Sequence, residues 1–130
     1  MNEQRKRLKE DVKLSEITLR ECQSKFVDDI SYLIGFAYNQ GYELTFGEAY
    51  RTPEQAALNA KSGIGIKNSL HTKRLAIDFN VFKDGKYLTK SEDLKELGEY
   101  WKSLNIKNAW GGDFKNADGN HFSQSRNGVK

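Results

Sequence analysis

Ser69-Leu70-His71-Thr72-Lys73-Arg74-Leu75-Ala76-Ile77-Asp78 is the stretch whose reading decides the fold. It leaves a polar, loop-like run at Lys67-Asn68-Ser69 and enters an apolar, β-branched one from Leu75 to Val81, which reads as a strand. His71 and Asp78 stand seven residues apart, and on one continuous strand an odd separation puts two side chains on opposite faces. If they are to meet, His71 must lie in the loop ahead of the strand, or a bulge must intervene.

The second informative stretch is Asp118-Gly119-Asn120-His121-Phe122, and His71 and His121 are the two histidines of the chain. Two imidazoles and the Asp78 carboxylate make a three-ligand shell for one zinc ion with the fourth position open to water, the arrangement of a hydrolytic rather than a structural zinc. Zinc in such a shell acidifies bound water toward neutrality for attack on an acyl carbon. Turn residues between Asp118 and His121 let the acid sit beside the metal while the histidine enters from a strand. Asp118 is therefore the candidate general base, passing a proton to the leaving amine; its plainer role is that of a turn former. Arg51 either grips an anionic substrate end in bidentate fashion or pairs with Glu48 or Glu54. Ser69 is a substrate-site residue or a cap, and Trp110 a ligand-stacking platform or a core aromatic.

Working outward, Phe26, Ile30, Leu33 and Ala37 form the stripe of an amphipathic helix, stopped at Gly41. Tyr42 to Phe46 alternates as a strand. Thr52, Pro53 and Gln55 carry N-cap, first-turn and capping-box signals for a helix running to about Lys61. A loop is predicted from Gly63 to Ser69, an Asp84-Gly85 turn into a short strand at Lys86 to Leu88, and a helix from near Ser91 with Leu94, Leu97, Trp101 and Leu104 on its apolar face. Trp110-Gly111-Gly112-Asp113 reads as a tight turn and His121 to Ser123 as a final strand. The expected fold class is α+β, a small antiparallel sheet with packed helices.

At 130 residues the chain is expected to hold one domain over 23–130, preceded by a charged helical arm over 1–22. No apolar run approaches the roughly 20 residues of a membrane span, so no stable membrane insertion is expected. The charged start, Met1 to Arg7, is unlike a secretory signal, which suggests residence in a cytoplasm. Cys22 is the single cysteine, which excludes an internal disulfide and a cysteine-based zinc site. The net charge of +3 is mild, and lysines and arginines are interleaved with acids beyond the N-terminus, so nucleic acid is not an expected partner. No exposed heptad pattern demands a partner, and a monomer is expected.

Ser69-x-His71, four residues, Ala76-x-Asp78, followed by Asp118 and His121, resembles the motif set of the zinc D-Ala-D-Ala carboxypeptidase and L-alanyl-D-glutamate peptidase family, whose fold is shared with the signalling domain of Hedgehog proteins. Arg51 with Gln55 four residues on is a further match, and the resemblance spans roughly Gln23 to Ser123. It implies that His71, Asp78 and His121 bind zinc, that Asp118 is the base, and that Arg51, with Gln55, Ser69 and Trp110 nearby, meets the substrate. The implied substrate is the bacterial peptidoglycan stem peptide. Trp110 to Asp113 resembles the bacteriophage endolysin subgroup, which cuts the L-Ala–D-Glu bond from the host cytoplasm after the membrane has been opened. A D,D-carboxypeptidase and a non-catalytic, zinc-stabilised wall-binding module are the alternatives. Two positions depart from the family: Arg74 stands where glycine is frequent, and Asp118 where many members have glutamate.

Overall fold

A computed structural model describes residues 17–63 and 69–130. Most of the expected charged arm, up to residue 16, lies outside the described residues, as do residues 64–68 of the expected loop.

Helix α1 (Leu19–Asn39) starts at a capping box: the Thr18 side chain accepts from the Glu21 backbone N–H, and the Glu21 carboxylate accepts from that of Thr18. The helix therefore begins ahead of the expected border at residue 22, and Cys22 belongs to the core. Phe26, Ile30, Leu33 and Ala37 are all buried, as their spacing predicts, and Gly41 takes the left-handed φ of 88° that ends the helix. Strand β1 (Tyr42–Phe46) follows. Helix α2 (Pro53–Lys61) is capped by Thr52, whose side chain accepts from the Gln55 N–H. The Gln55 side chain donates to Asn59 instead of returning to the cap, so no capping box closes there.

Strand β2 (Ala76–Lys83) turns through Asp84 and Gly85, both at positive φ, into the short β3 (Lys86–Tyr87). A single 3-10 turn (Ser91–Leu94) leads into helix α3 (Lys95–Leu104). Two strands close the chain, β4 (Asn108–Trp110) and β5 (His121–Gln124). The sheet is antiparallel in the order β1-β2-β5-β4, with β3 hydrogen-bonded to β2. The architecture is the α+β arrangement expected.

Along β2, Ile77, Phe79 and Val81 point to one face and are buried there. Phe79 packs on Phe122, and Phe122 meets Trp101 edge-on, with Phe26 of α1 edge-on to the same indole. Phe36 and Tyr100 stack at 4.0 Å between α1 and α3. The buried Asp29 carboxylate accepts from Lys25, Asn108 and Gln124, tying α1 to the ends of β4 and β5. With the core on that face, Asp78 projects from the other.

Candidate metal centre

Antiparallel pairing places Asp78 of β2 directly opposite His121 of β5, so both side chains rise from the same face of the sheet. His71 reaches that face from outside the sheet, in the 3-10 turn Leu70–Lys73, the position that strand parity requires. The Ser69 hydroxyl caps this turn, accepting from the His71 N–H at 3.2 Å. At its end Arg74 adopts φ 57° and ψ 36°, reversing the chain into β2. This left-handed conformation is the physical reason that glycine suits the position. Here arginine occupies it, with its guanidinium 4.0 Å from the centre of the Tyr50 ring.

His71 and His121 are 4% and 8% exposed. The His71 Nε2 lies 3.4 Å and the His121 Nδ1 3.3 Å from one oxygen, Asp78 Oδ1. Both separations are longer than an ordinary N–H···O bond, and Oδ1 is buried without a hydrogen-bond partner among the described residues. One ligand atom from each residue lies within 4.8 Å of the others, a spacing that fits a single zinc ion. Two nitrogens converging on an unsatisfied carboxylate oxygen is a costly arrangement without a cation and a natural one around it. Burial pushes the Asp78 carboxyl up, but the imidazoles of His121 and His71 outweigh it and hold its pKa at about 2. The group is ionised and ready to ligate throughout the neutral range.

Asp118 lies in the loop before β5, its carbonyl accepting from the His121 N–H at 3.0 Å and its own N–H donating to Gly111 at 2.8 Å. A Cβ at Gly111 would stand 2.0 Å from the Asp118 oxygen and 2.8 Å from the His121 Cβ, so the loop can close over the site only with glycine there. Burial and the Asp78 carboxylate raise the Asp118 pKa from its ordinary value, against the opposing pull of His121 and His71. This is the environment that turns a carboxylate into a stronger proton acceptor. A cleft of about 160 Å³ opens beside it, lined by Tyr87, Ser91, Asp118 and Asn120 among others.

The remaining sequence candidates fall in different places. Arg51 is near the site, its backbone N–H donating to the His71 carbonyl and its guanidinium pairing with Glu48. Of the two roles open to it, the ion pair is the contact present. Gln55 is exposed on α2 and bonded to Asn59, away from the cluster's own contacts. Of the two roles open to Trp110, the core one is the packing present: it is 4% exposed, close-packed on Gly98 and Gly112, and donates to the Gly119 carbonyl at 2.7 Å. It packs the loop that carries Asp118 and offers no stacking face. One residue escaped sequence reasoning: Glu48, whose carboxylate lies 3.7 Å from the outer nitrogen of His71. Its only sequence signal was its place three residues before Arg51.

Residues 63–124, which contain the whole cluster and Asp118, match the sequence profile of a family described as D-alanyl-D-alanine carboxypeptidase. No curated protein matched the chain. Among solved structures, the L-Ala D-Glu endopeptidase ChiX of Serratia marcescens is similar with a TM-score of 0.60 and 18% identity, over 75% of this chain and 79% of that one. A variant of the vancomycin resistance D,D-pentapeptidase VanY from a VanB-type cassette, in complex with Zn(II), is similar with a TM-score of 0.51 and 19% identity, over 77% of this chain and 70% of that one. At such identities these two likenesses speak for the fold. The motif segment over residues 63–124 that resembles the D-alanyl-D-alanine carboxypeptidase family, the shared fold and a His-Asp-His cluster spaced for one zinc ion together identify the chain as a zinc metallopeptidase.

Proposed function

We propose that this zinc peptidase cleaves the stem peptide of bacterial peptidoglycan at the L-Ala–D-Glu bond, in the manner of a phage endolysin. His71, Asp78 and His121 hold the ion, and Asp118 is the general base. The observation that carries the reading is a further carboxylate, Asp118, whose loop is hydrogen-bonded to His121 through the backbone beside a three-residue ligand cluster. A binding module has use for the cluster but none for a further carboxylate held beside it.

When bound, zinc supplies a Lewis acid that polarises the scissile carbonyl and acidifies water. Asp118 accepts a proton from the attacking water and returns it to the departing amine nitrogen. The cleft beside Asp118 has a mostly polar lining that includes none of His71, Asp78, His121 or Arg51, so it adjoins the ligand cluster and can take only a part of the peptide that extends past the base. Arg51 is the cation for a substrate carboxylate, which would exchange for Glu48 on binding. The similarity to an L-Ala D-Glu endopeptidase supports this choice of bond. The family description and the similarity to a D,D-pentapeptidase favour a second reading, removal of terminal D-Ala at the same site.

Digestion of purified peptidoglycan with zinc-loaded protein and with Asp118→Asn, read by mass spectrometry, tests both. New L-Ala carboxyl and D-Glu amino termini from the wild type alone are expected, with Asp118→Asn retaining zinc and losing about 10²- to 10⁴-fold in rate. Release of single D-alanine would select the carboxypeptidase. Equal cleavage by the variant would remove Asp118 from the mechanism. Absence of cleavage by a zinc-bound wild type would select the wall-binding module.

A further inference from the structure

Glu48 follows β1, and its backbone is locked to Asp78. Gly47 N–H donates to the Asp78 carbonyl and Asp78 N–H to the Glu48 carbonyl, both at 2.8 Å, extending the β1–β2 pairing toward the cluster. From there the Glu48 carboxylate reaches the edge of the His71 ring opposite to Asp78. Its Oε1 is 3.7 Å from Nδ1, while Nε2 on the other edge faces Asp78 Oδ1 at 3.4 Å. His71 Nδ1 is buried and has no hydrogen-bond partner among the described residues. Arg51 closes a ring of contacts, with its guanidinium on the same Glu48 oxygen and its backbone N–H on the His71 carbonyl at 3.2 Å.

A neutral imidazole that ligates through Nε2 must carry its proton on Nδ1, and that N–H needs an acceptor to fix the ring and its tautomer. The half-buried Glu48 carboxylate needs to move only about half an ångström to bring the pair within ordinary hydrogen-bond range. We propose that Glu48 is a positioning residue of the metal centre: it accepts the Nδ1–H of His71 and is itself held in place by Arg51. The inference rests on the assignment of His71 as a ligand. It gives Arg51 a part in the metal site that precedes any contact with substrate, because the guanidinium aims the carboxylate that aims the ligand.

Zinc affinity, measured on the purified full chain by competition with a chromophoric chelator, reads this role without any substrate. Glu48→Ala is expected to weaken zinc binding about 10- to 100-fold, and Glu48→Gln, which keeps an acceptor oxygen, to recover most of the loss. Arg51→Ala should weaken it less than Glu48→Ala but measurably. Zinc affinity unchanged in Glu48→Ala, with the apo variant folded by circular dichroism, overturns the proposal. If Glu48→Ala does not fold, nitrogen-15 spectra of the wild-type histidines decide. Zinc-loaded His71 should show a protonated, downfield-shifted Nδ1–H, and an Nδ1 without that shift overturns the proposal equally. A wild type that binds no zinc, or a His71→Ala variant that binds it as tightly, would overturn the ligand assignment itself and this inference with it.

Discussion

Asp78 and His121 are register partners across the β2–β5 pair, and a single Asp78 oxygen lies 3.3 Å from the His121 imidazole. The sheet's own hydrogen bonds thus assemble two-thirds of the metal cluster, so removing one ligand side chain should leave the scaffold standing. His121→Ala is expected to fold, to bind no zinc tightly and to be inactive. Wild type at a free zinc concentration 100-fold above its Kd should gain about 2.7 kcal/mol of stability, which chelation abolishes and the variant never shows. Thermal unfolding with and without zinc checks this, and a variant stabilised as much as the wild type would contradict it.

The same carboxylate makes the zinc-free protein acid-sensitive in a defined window. Asp78 is held at a pKa of about 2, below its ordinary value of 3.8. A depressed carboxylate favours the folded state when ionised, so its contribution is full above pH 4 and is lost as pH falls toward 2. The contribution is about 2 kcal/mol. Other acids titrate in this range too, so the test is a comparison. Urea unfolding of zinc-free wild type and Asp78→Asn, at pH 5 and pH 2.5, should show the wild type losing about 2 kcal/mol more than the variant. Equal losses would mean that the imidazoles do not stabilise the ionised carboxylate.

Arg74 offers a test of backbone against charge. Its left-handed conformation delivers His71 out of the turn and the chain into β2, and its guanidinium lies over Tyr50. Arg74→Gly relieves the backbone at the expense of the ring contact and a more flexible unfolded chain, so stability should change by less than about 1 kcal/mol. Arg74→Val keeps the strain and adds a β-branched clash, and should destabilise by about 1–3 kcal/mol with weakened zinc binding. Equal effects of the two substitutions would show that the guanidinium, and not φ, sets the turn.

Much of this arrangement was legible because its signals are local. The stripe from Phe26 to Ala37, the Thr52-Pro53 helix start and the parity of His71 against Asp78 depend only on chain geometry, and each appears where the pattern puts it. What stayed hidden was non-local. Strand β4 has only three residues and exists because Trp110 and Asn108 find β5. Lys25 and Asp29 are four apart on a helix, and it is burial that makes them part of a core network reaching Asn108 and Gln124. Glu48 likewise read as an ion-pair partner for Arg51, since nothing in the sequence brings it to a histidine 23 positions away.

Trp110 shows how packing settles what residue type leaves open. Its ring lies so close to α3 that a Cβ on Gly98 would stand 2.1 Å from it, and its indole N–H holds the Gly119 carbonyl beside Asp118. Trp110→Phe keeps most of the apolar volume but leaves that carbonyl unbonded, a loss of about 1–2 kcal/mol. Gly98→Ala gains about 1 kcal/mol of helix propensity but forces a rigid ring to shift, and overpacking of this kind costs about 1–3 kcal/mol or more. Both variants should therefore lose stability. If the ring supports the Asp118 loop and does not meet substrate, kcat should fall while KM stays near the wild-type value. Denaturant unfolding paired with steady-state kinetics separates the roles: a raised KM with unchanged stability in Trp110→Phe would return the indole to the substrate cleft.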